Sequence, residues 1–347
     1  MGGAAGIRRL RPETWGSLGV NVVNAGDRPA EVLATLYFVE DPSLQYARRL
    51  WVPARAKRYS WCPVFPPSSD PPKTSSGRRV PSSAEVGSLL FDVSAGTETM
   101  VRQRSQRVVD TGLVPIQHSR MVTAIVSDSG ANGEVDATDE AVFELLAAAR
   151  ISAGHPETYA DLFEDFLPPV LECLDGLDQL VLASDRLAAD PAAMAAVRRW
   201  LIGGGRLWVL LDQVDPATVE VLLGDAAELH AVDRVGLTEI LFEGIGPDAQ
   251  APEKEARQFE QPVDLVRVLA TDVEVTQRVN GWPVAFRQAM GKGSVLLTAL
   301  GPRAWIRPRT ASDRRPAHAL DVPRFVATKP LERLAIRFFE RPEAPAI

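Results

Sequence analysis

The segment from Pro191 to Leu211, P-A-A-M-A-A-V-R-R-W-L-I-G-G-G-R-L-W-V-L-L, constrains this chain more than any other. Met194, Val197, Trp200 and Leu201 recur at helical spacing, and Pro191 suits the first helical position, where its missing N–H would have no intrahelical acceptor. Gly203-Gly204-Gly205 stops the helix. Arg206–Leu211 then runs apolar without alternation, as a strand buried on both faces does. A helix feeding directly into such a strand predicts a layered α/β sheet. The glycine triplet is not a phosphate loop, because such loops follow a strand and open a helix, which aims N–H groups at the anion. Here the order is reversed.

The same grammar extends on both sides. Met121–Ser127 and Leu180–Ala183 read as buried strands, and Asp139–Ile151 as a helix with Val142, Leu145, Leu146 and Ala149 on one face. Thr138 is its expected N-cap, with Asp139 and Glu140 placed well against the dipole. Strand–helix–strand repetition predicts a doubly wound, mostly parallel α/β domain over residues 119–347. Strands at Leu265–Leu269, Val273–Val279, Pro283–Arg287 and Ser294–Ala299 form its β-rich C-terminal extension, the last two joined by a Gly291-Lys292-Gly293 hairpin. A last helix, Pro330–Phe339, packs on the domain through Leu331, Leu334, Ala335, Phe338 and Phe339.

Residues 1–118 read as all-β. Strands are expected at Trp15–Val23, Val32–Val39, Tyr46–Val52, Lys57–Cys62, Ser88–Ser94 and Thr97–Gln103, with turns at Asn24–Asp27 and Asp41-Pro42. Prolines crowd residues 63–81, which are therefore a loop. Six short strands predict an immunoglobulin-like β-sandwich. The fold class expected is thus α/β plus all-β.

Charge separates along the chain. Residues 1–118 hold 15 Lys/Arg and 10 Asp/Glu, residues 128–232 hold 5 and 20, and residues 301–347 hold 10 and 5. The overall charge of −7 argues against nucleic acid as the partner. The Arg-rich N-terminal face remains a candidate for anionic polymers. Two cysteines, Cys62 and Cys173, exclude a disulfide scaffold and a cysteine-based zinc site. No cofactor is called for. Met1–Leu10 leads into no apolar core of signal-peptide length, and no apolar run is long enough to span a membrane. The chain reads as soluble as written, and as extracytoplasmic if it is a fragment.

Three runs, D-G-L-D-Q-L-V-L-A-S at 175–184, A-V-R-R-W-L-I-G-G-G-R-L-W-V-L at 196–210 and R-Q-A-M-G-K-G-S-V-L-L-T-A-L at 287–300, resemble the class I glutamine amidotransferase-like domain of bacterial envelope proteins. The resemblance implies a flavodoxin-like domain behind an N-terminal sandwich, and an envelope association. Amide hydrolysis in that family needs a cysteine on the turn after Arg206–Leu211 and a histidine after the 291–293 hairpin. This chain has Asp212-Gln213-Val214-Asp215 and Leu300-Gly301-Pro302 there. Cys173 lies elsewhere and reads as a core residue. The resemblance therefore implies a pseudoenzyme, a non-catalytic binding or scaffolding protein whose partner is a protein or a small ligand.

The alternative is a hydrolase that uses carboxylates or a metal at the strand ends. Ligands of doubly wound sheets bind outside the carboxyl ends of the strands. Asp128, Ser129, Asp185, Arg186, Asp212, Gln213 and Arg303 are the expected pocket. Asp128–Asp139 partly matches a calcium loop, with Asn132, Gly133 and Asp136 at suitable positions, but Gly130 and Asp139 stand where the loop wants a side-chain ligand and a glutamate. Glu157, Asp161, Glu164 and Asp165 read as an exposed acidic helix face, and His155 as a loop residue.

Overall fold

The computed structural model describes residues 9–68, 85–94, 99–107, 114–115, 121–128, 137–162, 167, 169–244, 254–316 and 322–340. The chain divides into two compact units, one of residues 1–120 and 165–177, the other of residues 121–164 and 178–347.

The first unit contains β1 (Arg9–Leu10), β2 (Gly16–Asn24), β3 (Ala30–Phe38), β4 (Asp41–Val52), β5 (Ala56–Val64), β6 (Glu85–Asp92), β7 (Thr99–Arg107) and β8 (Val114–Pro115). β2 pairs antiparallel with β5, β4-β3-β6-β7 form a second antiparallel sheet, and β1 pairs parallel with β8. Alternation sets the packing. Leu18, Val20 and Val22 of β2 and Val32, Ala34, Leu36 and Phe38 of β3 are spaced by two, so one face of each strand enters a common core with Leu50, Val52, Cys62, Val64 and Val86. The Asn24 side chain closes the first turn, accepting from Gly26 N at 3.0 Å and donating to Arg28 O at 2.8 Å. Cys62 and Cys173 are buried free thiols, the latter in a short 3-10 helix, Leu171–Leu174. Of the proline-rich loop, residues 69–81 lie outside the described residues, and Pro63-Val64 belong to β5.

The second unit runs β9 (Thr123–Val126), α1 (Ala137–Ser152), β10 (Ala160–Asp161), β11 (Gln179–Leu182), α2 (Pro191–Gly203), β12 (Arg206–Leu210), α3 (Pro216–Leu223), β13 (Glu228–Gly244), β14 (Lys254–Thr271), β15 (Glu274–Val279), β16 (Trp282–Met290), β17 (Gly293–Thr298), α4 (Pro302–Trp305), β18 (Ile306–Pro308), β19 (Phe325–Ala327) and α5 (Lys329–Phe339). Nine strands make one sheet in the order β10-β9-β11-β12-β17-β16-β15-β13-β14.

This sheet corrects the expected fold class. It is mixed and not mostly parallel: β10, β9, β11, β12 and β17 pair parallel, and every pairing from β17 through β16, β15 and β13 to β14 is antiparallel. The strands read as a C-terminal extension are the other half of the same sheet. β17 is the seam, parallel to β12 on one side and antiparallel to β16 on the other. Buried apolar runs mark a strand but say nothing about the direction of its neighbour, which is why doubly wound winding was inferred where half the sheet is a meander.

Glycines make the seam possible. A Cβ on Gly293 would lie 2.0 Å from Leu201 O and 2.4 Å from Gly205 O, so the start of β17 passes directly against the end of α2. Upstream, the Asp190 carboxylate accepts from Ala192 N and Ala193 N, both at 3.0 Å, and Pro191 takes the first turn.

Smaller expectations are also corrected. α1 begins at Ala137, so Thr138 is inside its first turn and is not the N-cap. Residues 157–162 are not helical; Ala160 and Asp161 form β10, while Glu164 and Asp165 lie outside the described residues. α3 and β13 escaped the sequence reading, and β14 is far longer than Leu265–Leu269.

Candidate active site at the strand ends

β12 runs on through Leu211, whose N–H donates to Thr298 O at 2.8 Å. The chain then turns tightly, with Gln213 N and Val214 N both donating to Leu210 O at 2.9 Å, and Asp215 caps α3 through Ala217 N at 2.8 Å. Asp212 stands on that strand-to-helix turn. β14 reaches the same place by pairing with the segment after β17: Val266 N donates to Ala299 O at 2.8 Å and Gly301 N to Asp264 O at 2.7 Å.

Asp212 is only 4% exposed. Its Oδ2 accepts from Gln213 Nε2 at 2.6 Å, whereas Oδ1 has no hydrogen-bond partner among the described residues. Burial pushes the carboxyl up to about 6, against the pull of the Gln213 hydrogen bond and of Arg234; Asp264 adds to the rise. Arg234, from β13, donates through Nη2 to the Asp212 carbonyl at 2.9 Å and brings Nη1 to 3.5 Å from Asp264 Oδ2. Gly301 lies between the two aspartates. A Cβ there would sit 3.4 Å from Asp264 N and O and 3.9 Å from Asp212 Oδ2. The site thus holds a buried carboxyl, a half-exposed carboxylate and a guanidinium around a bare stretch of backbone.

The other expected site residues fare differently. Asp185 is occupied in bracing α3, accepting from Asp215 N at 2.9 Å and Thr218 Oγ1 at 2.7 Å. Asp128 accepts from the Ser184 hydroxyl, and Arg186 Nη1 donates to Ser127 O at 3.1 Å and Leu162 O at 3.0 Å. These three tie loops together. Arg303 is exposed and donates to Gln261 Oε1 at 3.1 Å. Ser129 lies outside the described residues, as does most of the calcium-like loop. Asp212 and Gln213 alone join the cluster. Arg234 and Asp264 were missed, because they meet only through the β13–β14 register, which sets Arg234 opposite Val266 and Gly236 opposite Asp264. Among the described residues, no group of three or more His, Cys, Asp or Glu side chains is arranged to hold a metal ion, and no helix is long and apolar enough to cross a membrane.

No protein family and no curated protein matches the chain. Among solved structures, a β-galactosidase from Bacillus circulans sp. alkalophilus overlaps 52% of this chain and 28% of its own, at 12% identity and a TM-score of 0.38. A cytoplasmic protein from Salmonella typhimurium overlaps 51% and 87%, at 14% identity and a TM-score of 0.37. An α-L-fucosidase isoenzyme from Paenibacillus thiaminolyticus overlaps 52% and 29%, at 13% identity and a TM-score of 0.36. The chain spans less than a third of either glycosidase. TM-scores this low establish no common fold and transfer no activity.

The mixed sheet overturns the amidotransferase-like resemblance. The three runs that carried it build β11, α2–β12 and the antiparallel β16–β17 hairpin of that sheet. The non-catalytic reading falls with it. Its premise was the absence of the cysteine and histidine that the resemblance called for, and that premise goes with the resemblance.

Proposed function

We propose that this chain is a hydrolase that works by carboxylate acid–base catalysis at the Asp212 site. The observation that carries the reading is the buried Asp212 carboxyl, held up to about 6 with one oxygen unpaired among the described residues, beside the exposed Asp264 carboxylate. A buried carboxyl beside an exposed one can divide the roles of acid and base between them. Asp212, protonated below about pH 6, gives its proton to the leaving-group oxygen or nitrogen. Asp264, on the exposed side of the pair, takes a proton from the attacking water. Arg234 holds both in place and offsets negative charge as it develops. Gln213 is half-buried, and rotation of its side chain uncovers Oδ2 for substrate.

The test is turnover by the purified chain of nitrophenyl glycosides, esters and phosphates and of a peptide anilide, each repeated with D212N. Loss of about 100-fold or more in a variant with wild-type circular dichroism supports the assignment. Turnover that survives D212N, or no turnover of any probe class, sinks it.

A further inference from the structure

α1 carries two stripes of side chains with different surroundings. Val142, Leu145, Leu146 and Ala149 enter the core and are all buried. Glu140, Phe143, Glu144, Ala147 and Ile151 follow the spacing i, i+3, i+4, i+7 and i+11, and so lie along one flank of the helix. That flank is one wall of a cleft of about 330 Å³, whose other wall is Pro323, Arg324 and Phe325, at the start of β19. The volume falls in the range of small-ligand sites and accommodates a single ring with a short arm.

The walls are apolar and the charge on them has one sign in excess. Phe143, Ala147, Ala148, Ile151, Pro323 and Phe325 supply hydrocarbon surface, and the Phe143 ring is held in place by Tyr159, stacked on it at 5.6 Å and 22°. Three carboxylates, Glu140, Glu144 and Glu157, line the cleft against one guanidinium, Arg324. Arg324 Nη1 lies 3.7 Å from Glu140 Oε1, and both side chains are largely exposed at the rim. Glu144 is half-buried and makes no hydrogen bond or ion pair among the described residues. Burial and Glu140 both push its carboxyl up, against Arg324 and Arg303. A carboxylate set in an apolar wall beside a second one gains from a cation in the cleft and loses from an anion. Aromatic walls favour the same sign, because ring faces carry negative charge.

We propose that this cleft binds a small primary ammonium ion with an apolar body, its charge against Glu144 and its hydrocarbon against Phe143, Ala147 and Phe325. Volume and charge complementarity both select that occupant. A neutral apolar ligand would desolvate the Glu144 carboxylate without giving it a partner. An anion would meet carboxylates from successive turns of α1. None of the residues around Asp212 takes part, so the two assignments stand or fall separately.

The experiment is calorimetric titration of the full chain with phenethylammonium chloride near neutral pH and at constant ionic strength, with 2-phenylethanol as the neutral arm and 3-phenylpropionate as the anionic one. Saturable one-to-one binding of the ammonium ion is expected, with the alcohol about tenfold weaker and no binding of the anion. E144Q should weaken the ammonium ion about tenfold, and A147F, which fills the cleft, should abolish binding. R324Q, which removes the competing cation from an exposed rim position, should tighten it about threefold and keeps the test decisive should A147F fail to fold. Alcohol binding as tight as that of the ammonium ion, or binding equal in wild type, E144Q and R324Q, would overturn the cation assignment. Absence of saturable ammonium binding would overturn the site. A concentration-dependent dimer that phenethylammonium dissociates would give the cleft to a basic side chain of a second copy, and would overturn the small-ligand assignment as well.

Discussion

Arg234 holds Asp212 by its main chain and Asp264 by its carboxylate, at 2.9 and 3.5 Å. One guanidinium from β13 thereby joins a buried acid after β12 to an exposed one on β14. The Asp212 carboxyl itself is held by Gln213 Nε2 through Oδ2, and its charge is opposed by burial. The consequences are measurable.

Asp212 makes stability fall with rising pH. Its folded pKa of about 6 stands above the ordinary 3.8, so the folded chain binds this proton more tightly than the unfolded chain. The contribution favours folding below the unfolded pKa and is lost as pH climbs from about 4 to about 6. The shift corresponds to about 3 kcal/mol by the usual conversion, an order of magnitude only. Denaturant titrations of wild type and D212N at pH 4.5 and 7.5 should show a larger loss of stability between the two pH values in wild type. Equal losses would contradict the buried, ionising carboxyl.

Arg234 tunes the same group. It favours the Asp212 carboxylate, so R234Q should move the Asp212 pKa further up. The alkaline limb of the pH–rate profile on whichever probe is turned over should shift upward in R234Q, with kcat reduced. A lowered rate with an unmoved limb would show that Arg234 acts only on the fold.

Two neighbouring glycines should behave oppositely. Gly203 has nothing within 4 Å of the place a Cβ would occupy, whereas at Gly293 two backbone carbonyls already fill it. G203A should lie within about 1 kcal/mol of wild type, with reduced unfolded-chain freedom acting in its favour. G293A should cost about 3 kcal/mol or more, because the clash is with main chain that cannot rotate aside. Melting temperatures of the two variants decide it.

Both thiols should be inert in the folded protein. Burial pushes Cys62 up to about 11, against Arg48, and Cys173 up to about 12, with Glu172 adding to the rise. Thiolate, the reactive form, is then scarce at pH 8. Ellman's reagent should modify neither residue within an hour in buffer and both in guanidinium chloride. Rapid labelling of the native chain would show that one of the two sites opens.

Much of the local structure was legible. α2 followed from a proline, a helical stripe and a glycine stop; α5 followed from Leu331, Leu334, Ala335, Phe338 and Phe339, all buried. In β2 and β3 the alternation of apolar residues already says which side chains turn inward. β13 was not legible for a physical reason. From Ala231 to Glu239 most of its residues are exposed, so the strand lacks the apolar signature that burial imprints.

The candidate site divides in the same way. The sequence alone placed Asp212 and Gln213 after an apolar strand, and it excluded a cysteine–histidine pair there, because a strand and the residue at its end are set by local pattern. Only the tertiary structure decided that the sheet is mixed, that Asp185, Asp128 and Arg186 are consumed in bracing loops, and that Arg234 and Asp264 stand beside Asp212. Those outcomes depend on which strands pair and in what register. Pairing between β14 and the chain after β17 is a matter of backbone hydrogen bonds between distant segments, and the side chains that such pairing brings together carry no mark of it in sequence.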